Sequence, residues 1–170
     1  MYQRYLVIFA FACLFVFSTN LKAQHPFSDH TDRHSIQFYG GQMNAFNGSI
    51  RNSVYGLEYR FPKFSQWGLV PAIGYLNSNA GAEYSYFDMK YTFSLSEHWG
   101  LLISTGLGFF KDGKLLDLGH TIEFKSGFEL FYEFDNHHRI GISGHHYSNS
   151  RLSNTNPGTE SVTAGYTLAF

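Results

Sequence analysis

Two long segments of the chain alternate between apolar and polar residues, and this pattern constrains the fold more than any other feature. Residues 87–95 place Phe, Met, Tyr, Phe and Leu at odd positions and Asp, Lys, Thr and Ser at even ones. Residues 122–134 alternate a mainly apolar row with a row that holds three glutamates and a lysine. Because consecutive side chains on a strand point to opposite faces, each segment predicts a strand with one apolar and one polar face. The charged row is expected to pair inside a small barrel as structural filling, since facing lipid would be costly.

Similar segments recur along the chain with turn signals between them: the first ends near Gly40-Gly41, and Pro62 stops the second. They predict eight strands, the smallest common size for an outer-membrane barrel, whose interior is filled by side chains instead of forming a pore. Pro71, near the start of the third strand, predicts a bulge or a strand end, because proline cannot donate to the ladder. The predicted strands span residues 34–42, 53–61, 69–77, 87–95, 99–110, 122–134, 140–148 and 160–170.

Composition agrees with an all-β, eight-stranded antiparallel transmembrane barrel of the outer membrane. The 170 residues include 18 Phe and 12 Tyr, but only 15% are charged. The mean hydropathy is nevertheless negative, at -0.21, as expected where apolar and polar residues alternate. The chain ends with Phe170, preceded at alternate positions by Leu168 and Tyr166, which resembles the C-terminal signature of outer-membrane barrels. A net charge of -1 and the lack of a basic stripe disfavour a nucleic-acid partner.

The first residues have the features of a secretory signal peptide, predicted to span residues 1–23. Arg4 precedes an apolar core, and Leu21-Lys22-Ala23 provides a small-residue cleavage site. The apolar core is shorter than the roughly 20 residues that a membrane-spanning helix requires. Cys13 lies within this peptide, so the mature chain is expected to contain no thiol, disulfide or thiolate metal site. The remaining chain divides into a periplasmic lead-in, residues 24–34, and the barrel, residues 35–170.

A histidine, a serine and a glutamate fall on the lipid-facing side of the last two strands. His146 and Ser148 share a face with Ile140, and Glu160 shares a face with Tyr166. A hydroxyl, an imidazole and a carboxylate on neighbouring strands are the parts of an activated serine nucleophile. A site on the outside of a barrel acts on a substrate embedded in the membrane. Periodicity alone therefore predicts a membrane-facing serine esterase.

The same region resembles a known family. The segments His-Tyr-Ser-Asn at 146–149 and Asn-Pro-Gly at 156–158, followed by Glu160, resemble the outer-membrane lipid A 3-O-deacylases of the PagL type. The resemblance covers about the last thirty residues, and upstream it is one of architecture. This chain has Ser150-Arg151 where the family often has small residues, including a glycine.

The resemblance implies a function and a role for each residue. Ser148 would be the nucleophile, His146 the general base, Glu160 the residue that orients the histidine, and Asn149 an oxyanion donor through its side-chain amide. The reaction would be hydrolysis of the 3-O-linked 3-hydroxyacyl ester of lipid A in lipopolysaccharide, in the outer leaflet. Neither a cofactor nor a metal is implied.

Three alternatives stay open on the sequence alone. A non-enzymatic barrel with a structural or adhesive role would explain everything except the polar residues on the lipid-facing row, where they are costly. A phospholipase or palmitoyltransferase would share the location, and a homodimer is compatible with the sequence.

Metal binding by the pairs His137-His138 and His145-His146 is disfavoured, because adjacent residues on a strand point to opposite faces. His145 is expected in the interior, and His25, His30 and His34 in solvent.

Overall fold

The computed structural model describes residues 32–46, 51–64 and 66–170. The predicted signal peptide with Cys13, and most of the predicted lead-in with His25 and His30, lie outside these ranges. Within the described part of the chain, no helix is long and apolar enough to span a membrane.

Eight strands form one closed antiparallel barrel, which confirms the predicted fold class. Each strand pairs with the next along the chain, and the first closes the barrel by pairing with the last. The strands are β1 (Ser35–Met43), β2 (Asn52–Arg60), β3 (Val70–Ser78), β4 (Glu83–Ser94), β5 (Trp99–Lys111), β6 (Ile122–Glu133), β7 (Arg139–Ser148) and β8 (Thr159–Ala169).

The two faces of the wall follow the predicted alternation. On β6, Phe128 and Leu130 are exposed on the outside, whereas Glu129 and Phe131 are buried inside. Pro71 is the second residue of β3, which agrees with the predicted strand end. An apolar outer surface and a polar interior are the arrangement expected of a barrel that crosses a bilayer.

Ion pairs fill one part of the interior, as predicted for the charged row of β6, except that buried Glu123 has no hydrogen-bond partner in the described part of the chain. Arg60 contacts Glu58 at 2.7 Å and Glu129 at 2.6 Å, and Lys125 contacts Asp88 at 2.7 Å. These charged side chains are all nearly inaccessible to solvent. A cavity of about 10 Å³ remains among them, which is the space of about one water molecule. The barrel is therefore packed and contains no open pore in the described part of the chain.

The fourth strand differs from its prediction. It begins at Glu83, four residues before the predicted start at residue 87. Tyr84 and Tyr86 point inward and stack with centroids 5.3 Å apart, and Tyr147 meets Tyr84 edge to face. This inner aromatic cluster masks the alternation, because apolar residues here occupy the face that is polar farther along the strand.

The two ends of the barrel are unlike each other. One end carries the loops 112–121 and 149–158, and we call it the loop end. The other carries the short turns 95–98 and 134–138, the longer connection 61–69, and Phe170, whose ring stacks on that of His34 at 6.3 Å. Outer-membrane barrels have short turns on the periplasmic side and longer loops outside the cell. The loop end is therefore the extracellular one.

Candidate active site

His146 and Glu160 are directly opposite each other on β7 and β8, near the loop end. The distance from His146 Nδ1 to Glu160 Oε1 is 3.3 Å, and the two side chains are 51% and 44% exposed. Both lie on the outer face, as predicted from periodicity. With its proton on Nδ1, the imidazole donates to the carboxylate and leaves Nε2 free to accept a proton. The pair therefore has the arrangement of a base and the acid that orients it.

Ser148 is the last residue of β7 and lies two residues beyond His146 on the same outer face. Its side chain is partly exposed, and its neighbour across to β6 is Phe124. In the described part of the chain, no hydrogen bond joins Ser148 to His146. Catalytic hydrogen bonds are often long without substrate and tighten only when it binds. The serine is thus beside the base but is not hydrogen-bonded to it.

Gly158 packs against the ring of His146. A Cβ atom added to Gly158 would lie 3.2 Å from His146 Cε1 and 3.7 Å from Nε2, and the φ of this glycine is +64°. A larger residue would therefore crowd the ring and also adopt an unfavourable backbone conformation. The loop after β1 is attached to the backbone of Glu160, since Ala45 N donates to Glu160 O at 3.3 Å. Backbone contacts from two loops thus limit the movement of the pair.

Asn149 is fully buried and its side chain is saturated with hydrogen bonds. Its Nδ2 donates to Leu118 O and to Thr155 O, each at 2.9 Å, and its Oδ1 accepts from Arg151 N at 3.0 Å. Its own backbone N–H donates to Asn156 Oδ1 at 3.1 Å. Both hydrogens of the side-chain amide are therefore engaged. The amide that the resemblance assigns to an oxyanion ties the loop 149–158 to the loop 112–121.

The residues after Asn149 form a tight turn with a strained backbone. Leu152 N donates to Asn149 O at 2.9 Å, and the φ angles of Ser150 and Arg151 are +51° and +68°. Positive φ at both central positions is the pattern of a type I′ turn. For residues other than glycine this conformation costs about 1 kcal/mol per residue. Glycine would adopt this backbone at lower cost than Ser150 and Arg151 do.

Sequence reasoning missed Ser126. It lies opposite His146 on β6, on the other side from Glu160, and is exposed on the outer face. Together, Ser126, His146, Ser148 and Glu160 form a polar patch on the outer face near the loop end. The signal was present in the sequence, because Ser126 interrupts the row of outward apolar residues between Phe124 and Phe128.

An apolar groove of about 690 Å³ lies on the outer surface below this patch. It runs over β1, β5, β6, β7 and β8, and its floor includes Ile142 and Ala164, which are opposite each other in register. His146 is four residues from Ile142 along β7, a distance of about 13 Å. Between them lies Gly144, against which the Phe128 ring packs. The groove therefore lies on the same outer face as His146 and Glu160, and it extends from Ile142 away from the loop end.

Comparison with known proteins identifies the family. The family described as Lipid A 3-O-deacylase (PagL) matches residues 53–169. The chain belongs to this family. Among curated proteins, no sequence matches it significantly.

Solved structures agree with the fold. The crystal structure of the outer membrane enzyme PagL has 22% identity and a TM-score of 0.60, covering 80% of this chain and 99% of its own. The N-terminal barrel domain of Pseudomonas aeruginosa OprF has 15% identity and a TM-score of 0.60, covering 82% and 98%. A designed transmembrane β-barrel has 14% identity and a TM-score of 0.57, covering 82% and 96%. Two of these barrels are not PagL proteins, so the likeness supports the fold alone.

Membership of the PagL family confirms the predicted location in the outer membrane, in agreement with the apolar outer face. It also indicates a hydrolase of the lipid A deacylase class. In the ranges that the structure describes, no three His, Cys, Asp or Glu residues are grouped as metal ligands.

Proposed function

We propose that this protein is a lipid A 3-O-deacylase that uses Ser148 as nucleophile, His146 as general base and Glu160 to orient the histidine. The reaction is hydrolysis of the ester that holds the 3-hydroxyacyl chain at position 3 of lipid A. The observation that carries the proposal is the His146–Glu160 pair, 3.3 Å apart, on the outer face beside Ser148. Family membership supports the choice of lipid A as substrate.

The position of the polar patch supports a membrane substrate. Polar side chains facing lipid are costly, and they are retained mainly where they have a function. The patch lies near the extracellular end of the strands, close to the boundary where the acyl esters of outer-leaflet lipids meet the headgroups. The apolar groove below it offers a surface for the acyl chain that is removed.

The mechanism follows from the order of the three side chains. Nε2 of His146 accepts the Ser148 proton as Oγ attacks the ester carbonyl, and Glu160 stabilises the imidazolium that forms. The tetrahedral intermediate collapses, and His146 returns the proton to the departing sugar hydroxyl. Water, deprotonated by His146, then hydrolyses the acyl-enzyme, releases the 3-hydroxy fatty acid and restores Ser148. All three residues come from one chain, so the mechanism requires no second copy.

We assign the oxyanion contact to the backbone N–H of Ser150. Within residues 149–152 of the described chain, the other three backbone N–H groups donate to Asn156 Oδ1, Asn149 Oδ1 and Asn149 O. The Ser150 N–H has no such acceptor and follows the nucleophile by two residues. One oxyanion donor is worth about 3 kcal/mol in the transition state. Asn149 supports this donor by fixing the turn, and its side chain would need to break a hydrogen bond to bind the oxyanion itself.

The test is mass spectrometry of lipid A from a host that expresses this chain. We expect lipid A to lose one 3-hydroxyacyl mass, from position 3, in cells that express the wild type. Ser148→Ala should leave lipid A intact, while Ser143→Ala, which changes a buried serine on the same strand, should retain activity. Intact lipid A with folded wild-type barrel would contradict the proposal. Release of fatty acid from phospholipids in that case would identify a phospholipase, and release from neither lipid would favour a structural barrel.

A further inference from the structure

The strained turn holds Arg151 in a fixed position near the candidate nucleophile. The backbone of Arg151 is bound to the buried side chain of Asn149, which follows Ser148 directly. Asn149 is itself fixed by two hydrogen bonds to loop carbonyls. Backbone strain persists where the surrounding structure enforces it, and such positions concentrate at functional sites. The turn therefore presents the Arg151 side chain from the rim of the barrel, three residues beyond Ser148.

The guanidinium of Arg151 is exposed and uncompensated. In the described part of the chain it makes no ion pair or hydrogen bond through its side chain. Lys111, on the same rim, is instead paired with Glu83 at 2.8 Å, and the carboxylate of Glu160 is engaged by His146. Among residues 32–46, 51–64 and 66–170, Arg151 thus has no partner for its charge, and it lies at the end of the barrel where lipid headgroups are expected.

We propose that Arg151 binds a phosphate group on the headgroup of the lipid substrate. This inference rests on the proposed function and adds a determinant of substrate recognition to it. Guanidinium and phosphate form paired, charge-assisted hydrogen bonds, which is the chemistry for which arginine is suited. The acyl groove runs below His146 and Arg151 lies above it. A lipid that places its acyl chain in the groove and its ester at Ser148 therefore has its headgroup at the level of Arg151.

The decisive variant is Arg151→Gly, because glycine suits the φ of +68° at this position. The barrel should consequently fold at least as well as the wild type. Purified protein in detergent is assayed with lipid A and with the same lipid A after enzymatic removal of its phosphates. We expect KM for the phosphorylated substrate to rise about tenfold, as for the loss of one charged contact, with kcat within about twofold. KM for the dephosphorylated substrate should not change.

Lys114→Gly is the matched control for charge and flexibility. Lys114 lies on the same rim, but its backbone is bound to Ala80 on the loop between β3 and β4, away from β7 and β8. The Lys114→Gly variant should leave the KM values for both substrates unchanged. Equal changes in KM for the two substrates in Arg151→Gly, or no change in either, would overturn the proposal.

Two further measurements separate the remaining outcomes. In the first, inorganic phosphate is added to both proteins. If it inhibits the wild type but not Arg151→Gly, and removal of the lipid phosphates leaves KM unchanged, Arg151 binds free anions and the assignment is overturned. Binding is measured independently of turnover in the Ser148→Ala background, with and without Arg151→Gly. If the protein binds the phosphorylated lipid more tightly than the dephosphorylated one, and Arg151→Gly removes this difference, the proposal is supported. If the two lipids bind equally, the proposal is contradicted. Failure of the wild type to cleave either substrate would instead contradict the proposed function.

Discussion

The interior of the barrel and its outer polar patch both contain charged residues, but they are built differently. Inside, Arg60 contacts Glu58 and Glu129 at 2.7 and 2.6 Å, and all three side chains are buried. Outside, His146 and Glu160 have one contact with each other, at 3.3 Å, and each side chain is about half exposed. Most of the inner charged residues pair with one another, although neither carboxylate oxygen of buried Glu123 has a hydrogen-bond partner in the described part of the chain. The outer residues are instead open to a further partner.

This difference shows which polar residues require a functional explanation. In the interior, polar side chains fill a narrow barrel and most of the charged ones pair among themselves, so their presence follows from the fold. On the lipid-facing surface they are costly, and the fold gains nothing from them. We therefore expect the outer residues to control activity and the inner ones to control stability. Each prediction below tests one side of this division.

The largest effect is expected at one of two adjacent histidines, His146, with His145 as its control. His146→Asn should lower kcat/KM by about 10⁴, because it removes the proposed general base. His145→Asn changes the next residue, which points into the barrel, and should keep activity within about twofold of the wild type. Deacylation of purified lipid A in detergent by protein of verified fold gives both values. Similar losses for the two variants would contradict the assignment of His146 as the base.

The interior should respond in stability instead. Arg60→Met leaves the carboxylate of Glu129 without its cation and deprives Glu58 of one of its partners. Breaking a buried ion pair from one side costs about 3 to 5 kcal/mol in the free energy of unfolding. Urea unfolding of the barrel in detergent, followed by tryptophan fluorescence, measures this difference. Specific activity of the folded fraction should be unchanged, and a loss of activity without a loss of stability would break the proposed division.

Periodicity was sufficient to predict much of the fold. The alternation in 122–134 fixed both faces of β6, because the two rows differ strongly in polarity. It failed for the start of β4, where Tyr84 and Tyr86 face inward and remove the contrast between the faces. The sequence predicts which face a residue occupies only where the inside and the outside of the barrel differ in chemistry.

The candidate site was predictable to the extent that it depends on side chains in regular strands. His146 and Glu160 are opposite each other because antiparallel register joins them across a loop of known length. The hydrogen bonds of Asn149 were not predictable, since its partners are backbone carbonyls of Leu118 and Thr155. Every residue has a backbone carbonyl, so no residue pattern indicates which one an amide will bind.

Glu160 should matter less than His146. Glu160→Gln keeps the size of the side chain but removes the charge that stabilises the imidazolium, and we expect kcat to fall about 10²-fold. The effect is smaller because the residue acts through the histidine. The matched interior variant is Glu129→Gln, which should reduce stability and leave kcat unchanged. Measurement of kcat under saturating substrate distinguishes them, and a larger loss for Glu160→Gln than for His146→Asn would contradict the assigned order of roles.

The smallest effect is expected in the apolar groove, where the contact with substrate is broad and open. Ala164→Trp would fill part of the groove floor, so a long acyl chain would have to shift, and KM should rise about fivefold with kcat nearly unchanged. Ile73→Trp makes a similar addition on the outer face of β3, outside the groove, and should have no effect. Substrates that differ only in the length of the 3-O-linked chain provide the measurement. If the groove holds this chain, the KM ratio between the two variants should grow with chain length. A constant ratio would mean that the acyl chain lies elsewhere on the barrel, although the polar patch would still be the site of ester cleavage.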